Sequence, residues 1–323
     1  MLRLPVWAGN RERTRVPVVV LAEGTTPPTT WEGCLRHCPE HPIYVLGAPR
    51  RDNGEITIAN YLYAVDHTLS SLGLNKVILM GVGTGAGMSL ALAAVEATAK
   101  PDRGNLPAEL RGQTKFDDTS RVGALILAGP SLDSPTLAER AQLFTDAIHL
   151  LSADSASRAL VIERYLAEGS LTLGEVRAAV SATPVPAGGT EANASEARTG
   201  VEVATPGQTE PPTASALQWQ RKELFDKWVA ETDPAAASTW LHLRSRHPDL
   251  LEVASRVEIP VALLQGSHDG SFSPQASQKL AQALCTSTHT VPRAATLMQV
   301  DAPERLAQAI RQLAPFVAGG ISC

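Results

Sequence analysis

The chain has 323 residues, 44% of them hydrophobic, which suffices for a substantial core in one large α/β domain with additions or in two modest domains. A net charge of -5, with Lys and Arg scattered rather than striped, excludes an electrostatic footprint for nucleic acid. No apolar run reaches the length of a membrane span, the first residues lack the apolar stretch of a signal peptide, and four cysteines are too few for a disulfide framework.

These features point to an intracellular protein that is not integral to a membrane, with the cytoplasm as its expected place. Arg3, Arg11, Arg13 and Arg15 against the single acid Glu12 bear a slight likeness to an organelle transit segment, which makes the mitochondrion the alternative. Val16 to Ala22 reads as the first buried strand. "CLRHCPEH" follows, with Cys34, His37, Cys38 and His41, but zinc pairs normally come with a second ligand pair downstream, so ordinary free thiols and no metal are expected.

Ile43 to Leu46 is the next strand, Ile58 to Leu72 a helix, and Val77 to Met80 a strand that runs into "GVGTGAG" and a helix from Met88 to Ala99. Ala124 to Ala128 and Pro260 to Leu264 are further strands, apolar throughout, as strands buried on both faces are. Their alternation with helices predicts an α/β fold around a mostly parallel sheet. Between Ser131 and Val257 the rhythm breaks, and helical patterns over Leu137 to Leu151, Ser157 to Glu168, Leu217 to Glu231 and Ala235 to Ser245 follow one another without a strand.

The expected division is therefore a core of residues 1–130 and 258–323 with a helical cap insertion over 131–257. Within the insertion, 181–215 is rich in Pro, Gly, Thr, Ala and Glu and has no aromatic residue, so a flexible loop is expected there. Trp219, Trp228 and Trp240 fit either packing on the sheet, which helical spacing favours, or a partner surface. Ser273 before Pro274 and Asp301 before Pro303 mark the starts of helices over Pro274 to Leu284 and Pro303 to Val317, and Leu306, Ile310 and Leu313 line one stripe of the last.

A strand, a glycine-rich turn and a helix serve two chemistries. One is a phosphate cradle, but no acidic residue follows at the spacing of a dinucleotide site, so no such cofactor is expected. The other is the nucleophile elbow Gly-x-Ser-x-Gly, which falls on Gly81-Val82-Gly83-Thr84-Gly85 with glycine at the nucleophile position. Reading Thr84 as a displaced nucleophile instead would put Val82 where a small residue is needed.

With these segments the sequence resembles the α/β-hydrolase superfamily over nearly its whole length. The resemblance places Glu23, in "AEG" with Gly24, where a histidine is frequent before the oxyanion loop. It places Asp269 of "LLQGSHDGSFSP" at the triad acid and Thr296 of "VPRAATLMQVDAPERLAQAI" at the triad histidine. Two of the three catalytic positions are then lost, and no residue is expected to be catalytic.

The pocket above that degenerate triad is expected to draw on Glu23, Gly24, Gly83, Thr84, Ser131, His268, Asp269 and Thr296, with Asp133 nearby. His268 also reads as an ordinary loop histidine, and Asp269 as a cap of the following turn. "GVGTGAG" and "VLGAPRRDNG" further resemble the N-myc downstream-regulated gene family, non-catalytic proteins of this fold. The chain departs from that family at Gly47, over Lys100 to Ser120 and in the low-complexity stretch. The resemblance implies a catalytically inactive protein acting as a scaffold, interaction protein or accessory subunit of a larger assembly, with protein partners. A lyase or cyclase, or a small-molecule sensor, is the alternative.

Overall fold

A strand buried on both faces must supply apolar side chains to both, and the successive residues of each central strand do so here. In the computed structural model, which describes residues 2–12, 14–50, 56–98, 104–111, 120–182 and 214–319, seven strands form one sheet. They are β1 (Val6–Gly9), β2 (Val18–Leu21), β3 (Ile43–Leu46), β4 (Val77–Val82), β5 (Val122–Ala128), β6 (Val261–Gly266) and β7 (Thr288–Val291). Their order is β1-β3-β2-β4-β5-β6-β7, parallel except for β1, which runs antiparallel to β3.

The alternation divides the core. Val19, Leu21, Leu79, Leu125 and Leu263 pack on one face with α2 (Ile58–Ser71), α3 (Gly83–Ala97) and α10 (Pro274–Ala283). Val18, Val20, Ile78, Met80 and Ile126 pack on the other with α1 (Glu32–His37), α11 (Met298–Asp301) and α12 (Pro303–Gly319), whose Leu306, Ile310 and Leu313 form the buried stripe.

Between β5 and β6 the chain leaves the sheet through α4 (Leu137–Leu150), α5 (Ser155–Gly169), α6 (Leu171–Ala182), α7 (Ala214–Glu231), α8 (Pro234–Ser245) and α9 (Leu251–Ala254). Their starts are strongly specified. Thr136 and Glu139 form a reciprocal capping box, Asp154 accepts from the amides of Ala156 and Ser157, and Asp233 caps α8 just before Pro234. Trp240 is buried edge-on against Tyr61 with ring centroids 5.7 Å apart, and Trp228 is buried too, the packing role that their helical spacing favoured.

Three differences from the sequence reading have physical causes. β1 and β7 lie at the sheet edges with partly exposed side chains, so neither shows the all-apolar signature of a central strand. α6 escapes notice because it adjoins the low-complexity stretch, which itself lies outside the described residues except for its helical ends in α6 and α7. The helix expected from Met88 starts at Gly83 instead, so Gly83, Gly85 and Gly87 belong to the helix and Gly81 to β4 rather than to a loop. Residues 51–54 of "VLGAPRRDNG" and most of Lys100 to Ser120 also lie outside the described residues, as does the side chain of Trp219.

Candidate functional site

β4 passes into α3 with no intervening loop. Val82 is extended, and Gly83 turns the corner at φ 52°, a left-handed conformation that is strained for any residue with a side chain. The flanking glycines allow close contact, since a Cβ on Gly81 would lie 2.4 Å from the Gly85 carbonyl oxygen and one on Gly85 2.2 Å from that of Leu21. At Gly83 itself a Cβ would lie 2.4 Å from Glu23 Oε1 and 3.1 Å from Thr296 Cγ2.

Glu23 occupies the space that a nucleophile's side chain and its substrate would need. The Thr84 amide donates to Glu23 Oε1 at 2.9 Å. In a nucleophile elbow, the amide after the nucleophile stabilises the substrate oxyanion. Burial pushes the Glu23 carboxyl above its ordinary range, opposed by the Arg244 guanidinium and the Thr84 amide and reinforced by Asp269. Beside it, a Cβ on Gly24 would come within 2.6 Å of Trp240 Cβ, so α8 sits directly on this loop.

Asp269, Thr296 and Gly83 are brought together. Thr296 Oγ1 donates to Asp269 Oδ1 at 2.9 Å, and that oxygen also accepts from the Ser271 amide at 2.9 Å and hydroxyl at 2.6 Å, so the carboxylate caps its own turn as well. Asp269 Oδ2 is buried without a partner among the described residues and lies against Gly129, which also has φ 52°. The loop carrying Thr296 is tied down by Asp301, which accepts from Ser170 Oγ and from the amides of Leu171, Thr172 and Ala295.

The accessible space lies one strand over. A cavity of about 540 Å³ opens beside the elbow, walled by Ser131 and Asp133 after β5, by Ser271 and Phe272 after β6, and by α4, α5 and α8. Of the residues expected to line a pocket, Ser131 and Asp133 do. His268 is exposed and bonds to Ser267, while Gly83, Thr84, Thr296 and Glu23 close the space over the elbow instead.

The cavity wall contains groups that the sequence reading missed. Asp146 is buried and accepts from Gln142 Nε2 at 2.8 Å, from Tyr165 OH at 2.9 Å and from the Arg164 guanidinium. A signal was present, since Asp146 falls on the apolar stripe of Leu143, Ala147 and Leu150. Arg244 faces Glu23, Glu139, Tyr165 and His247, but its guanidinium makes no hydrogen bond or ion pair with the described residues. Burial pushes His247 down to about 4, so its imidazole is neutral, with Nδ1 2.8 Å from the Pro248 carbonyl.

Among the described residues, no three metal-ligating side chains converge at the elbow or the cavity. At the elbow, then, the corner residue Gly83 has no side chain, Thr296 sits on Asp269, and the Thr84 amide meets a carboxylate of the same chain.

No protein-family model matches this chain, and no curated protein matches it by sequence. Its fold is that of the α/β-hydrolases, shared with many solved structures. A thermophilic esterase from Thermogutta terrifontis, with malate bound, superposes at TM-score 0.64 and 15% identity over 96% of this chain and 92% of its own. The enol-lactonase from Burkholderia xenovorans matches at TM-score 0.63 and 13% identity over 96% and 95% of the two chains. A bromoperoxidase from Bacillus anthracis matches at 0.61 and 12% over 96% and 94%. At such identities the likeness establishes the architecture.

Proposed function

We propose that this α/β-hydrolase-fold protein works by binding rather than by acyl transfer, as an interaction protein or accessory subunit. The observation that carries this reading is Glu23 on the Thr84 amide, which fills the oxyanion position beside a corner that has no nucleophile. The resemblance of "GVGTGAG" to the non-catalytic N-myc downstream-regulated gene family points the same way.

A protein partner has a surface to meet. Leu137, Phe144, Ile148 and Leu151 project outward along α4 and its C-terminal cap, at exposures from 55% for Ile148 to 85% for Leu137. Contiguous exposed apolar side chains of this kind mark interaction sites. Cys34, Cys38 and Cys285 are free thiols, which supports a reducing intracellular compartment. No helix among the described residues is long and apolar enough to cross a membrane.

The test is a panel of activated esters and a fluorophosphonate probe applied to the pure protein, with no turnover and no labelling expected. Robust turnover abolished by substituting one residue at the elbow would overturn the proposal. The cavity favours a second reading, a small-molecule sensor, because Arg244 presents an uncommitted guanidinium to a space of ligand size. Ligand-dependent protection of α4 to α6 from hydrogen exchange would distinguish it.

A further inference from the structure

The turn Cys38-Pro39-Glu40-His41 joins α1 to β3 at the end of the parallel strands opposite the elbow. Cys38 Sγ, a Glu40 carboxylate oxygen and a ring nitrogen of His41 lie within 4.8 Å of one another. Cys38 and His41 are almost fully buried, at 0% and 2% exposure, while His37 is exposed and stands apart.

The hydrogen bonds around the three side chains leave their ligating atoms available. His41 Nδ1 is 2.8 Å from the Val16 carbonyl, and because a carbonyl only accepts, Nδ1 holds the proton. Nε2 keeps its lone pair and has no hydrogen-bond partner among the described residues. A carbonyl that fixes the tautomer in this way is the usual second support of a metal-bound imidazole. Arg311 Nε holds Glu40 Oε1 at 2.6 Å, which orients the carboxylate. Pro39 and Pro42 restrict the turn from both sides. A cavity of about 940 Å³, bordered by Glu40, His41, Arg15, Lys76 and Arg311, adjoins it.

We propose that Cys38, Glu40 and His41 bind one divalent ion of the zinc class through a thiolate, a carboxylate and an imidazole, with a fourth position open to the adjoining cavity. One sulfur, one nitrogen and one oxygen suit zinc or its cobalt substitute, whereas magnesium and calcium require oxygen sets. Thiolate and carboxylate together neutralise the ion, but loading adds one net positive charge beside Arg311, Arg15 and Lys76, so the metal–ligand bonds must outweigh that repulsion and the Arg311 pairing with Glu40. Binding forms the metal–sulfur bond and releases the Cys38 thiol proton to solvent. Cys38 is fully buried, so the ion must displace the proton as it binds. With metal–ligand bonds of about 2.0–2.3 Å the turn must also close around the ion by roughly 1 Å. Cys34 is one helical turn away but points its thiol at the Pro303 carbonyl and is no ligand.

The sequence pattern argued against a metal because no second Cys or His pair follows. Glu40 supplies the third ligand that a search for cysteine and histidine pairs passes over. The test uses the full chain, stripped with a chelator and titrated with Co²⁺ and then Zn²⁺. One equivalent of cobalt is expected to give tetrahedral visible bands and a thiolate-to-cobalt charge-transfer band, both removed by zinc. Cys38→Ala is expected to abolish the charge-transfer band, Cys285→Ser to keep it, and Glu40→Gln to weaken cobalt binding at least about tenfold. A cobalt spectrum without the thiolate band, or one unchanged in Cys38→Ala, overturns the proposal. If Cys38→Ala does not fold, an unaltered affinity in Glu40→Gln overturns it equally.

Discussion

The elbow and the cavity beside it follow β4 and the neighbouring strands β5 and β6, yet they treat their polar groups in opposite ways. At the elbow the Thr84 amide holds Glu23, Asp269 Oδ1 holds Thr296 and Trp240 lies on Gly24, while Asp269 Oδ2 and the Thr84 hydroxyl are buried without partners among the described residues. In the cavity, Asp146 is fully paired while Arg244 touches no acceptor. The place where this fold ordinarily conducts chemistry is here part of the packing, and the uncommitted charge stands one strand away.

Substitution at the corner should separate the two regions most sharply. Gly83→Ser restores a hydroxyl but puts a Cβ against Glu23 at a left-handed φ, and should cost about 3 kcal/mol in chemical denaturation without yielding ester turnover. Adding Glu23→Gly should recover part of that loss. An active, fully stable Gly83→Ser protein would show that the elbow is not sealed. On the cavity side, Asp146→Ala strands Tyr165, Gln142 and the partly exposed Arg164, and should cost about 2 kcal/mol in the same measurement.

Glu23→Gln probes the link between the regions. A carboxyl raised above its ordinary value of 4.5 by folding gives stability that is complete below that pH and lost as pH rises through the folded-state value. The glutamine can still accept from the Thr84 amide, so the variant should gain on the order of 1 kcal/mol at neutral pH. Its melting temperature should also depend less on pH from 4.5 upward than that of the parent. Arg244→Met should steepen the parent's dependence, since it removes the group that most favours the Glu23 anion. Smallest of all, Ile148→Ser on the outward face of α4 should change stability by no more than about 0.5 kcal/mol while weakening capture of a protein partner.

What the sequence made legible follows the strength of the local signals. Val77 to Met80 and Ala124 to Ala128 stand out because central parallel strands must be apolar on both faces, whereas Thr288–Val291 pays no such toll at the sheet edge. The glycine spacing pointed to Gly83 as the corner residue, and the resemblance to Asp269 and Thr296 as triad positions, which do lie together. It could not reveal that Glu23 reaches across to the Thr84 amide, because 61 residues separate the two and no period connects them. Arg244 was hidden for a related reason, as charges within amphipathic helices usually face solvent, whereas Asp146 could have been read from its place on the apolar stripe of α4.

Asp301 has a mechanical consequence. One carboxylate grips the start of α6 through Ser170, Leu171 and Thr172, and the loop of Thr296 through the Ala295 amide, while the Leu297 amide reaches the Gly169 carbonyl at 2.5 Å. The hinge between α5 and α6 and the floor beneath Gly83 are therefore riveted at one point. Any swing of α5 that widens the cavity must either shear those bonds or tug on the loop of Thr296, so the cavity wall and the corner at Gly83 share one anchor.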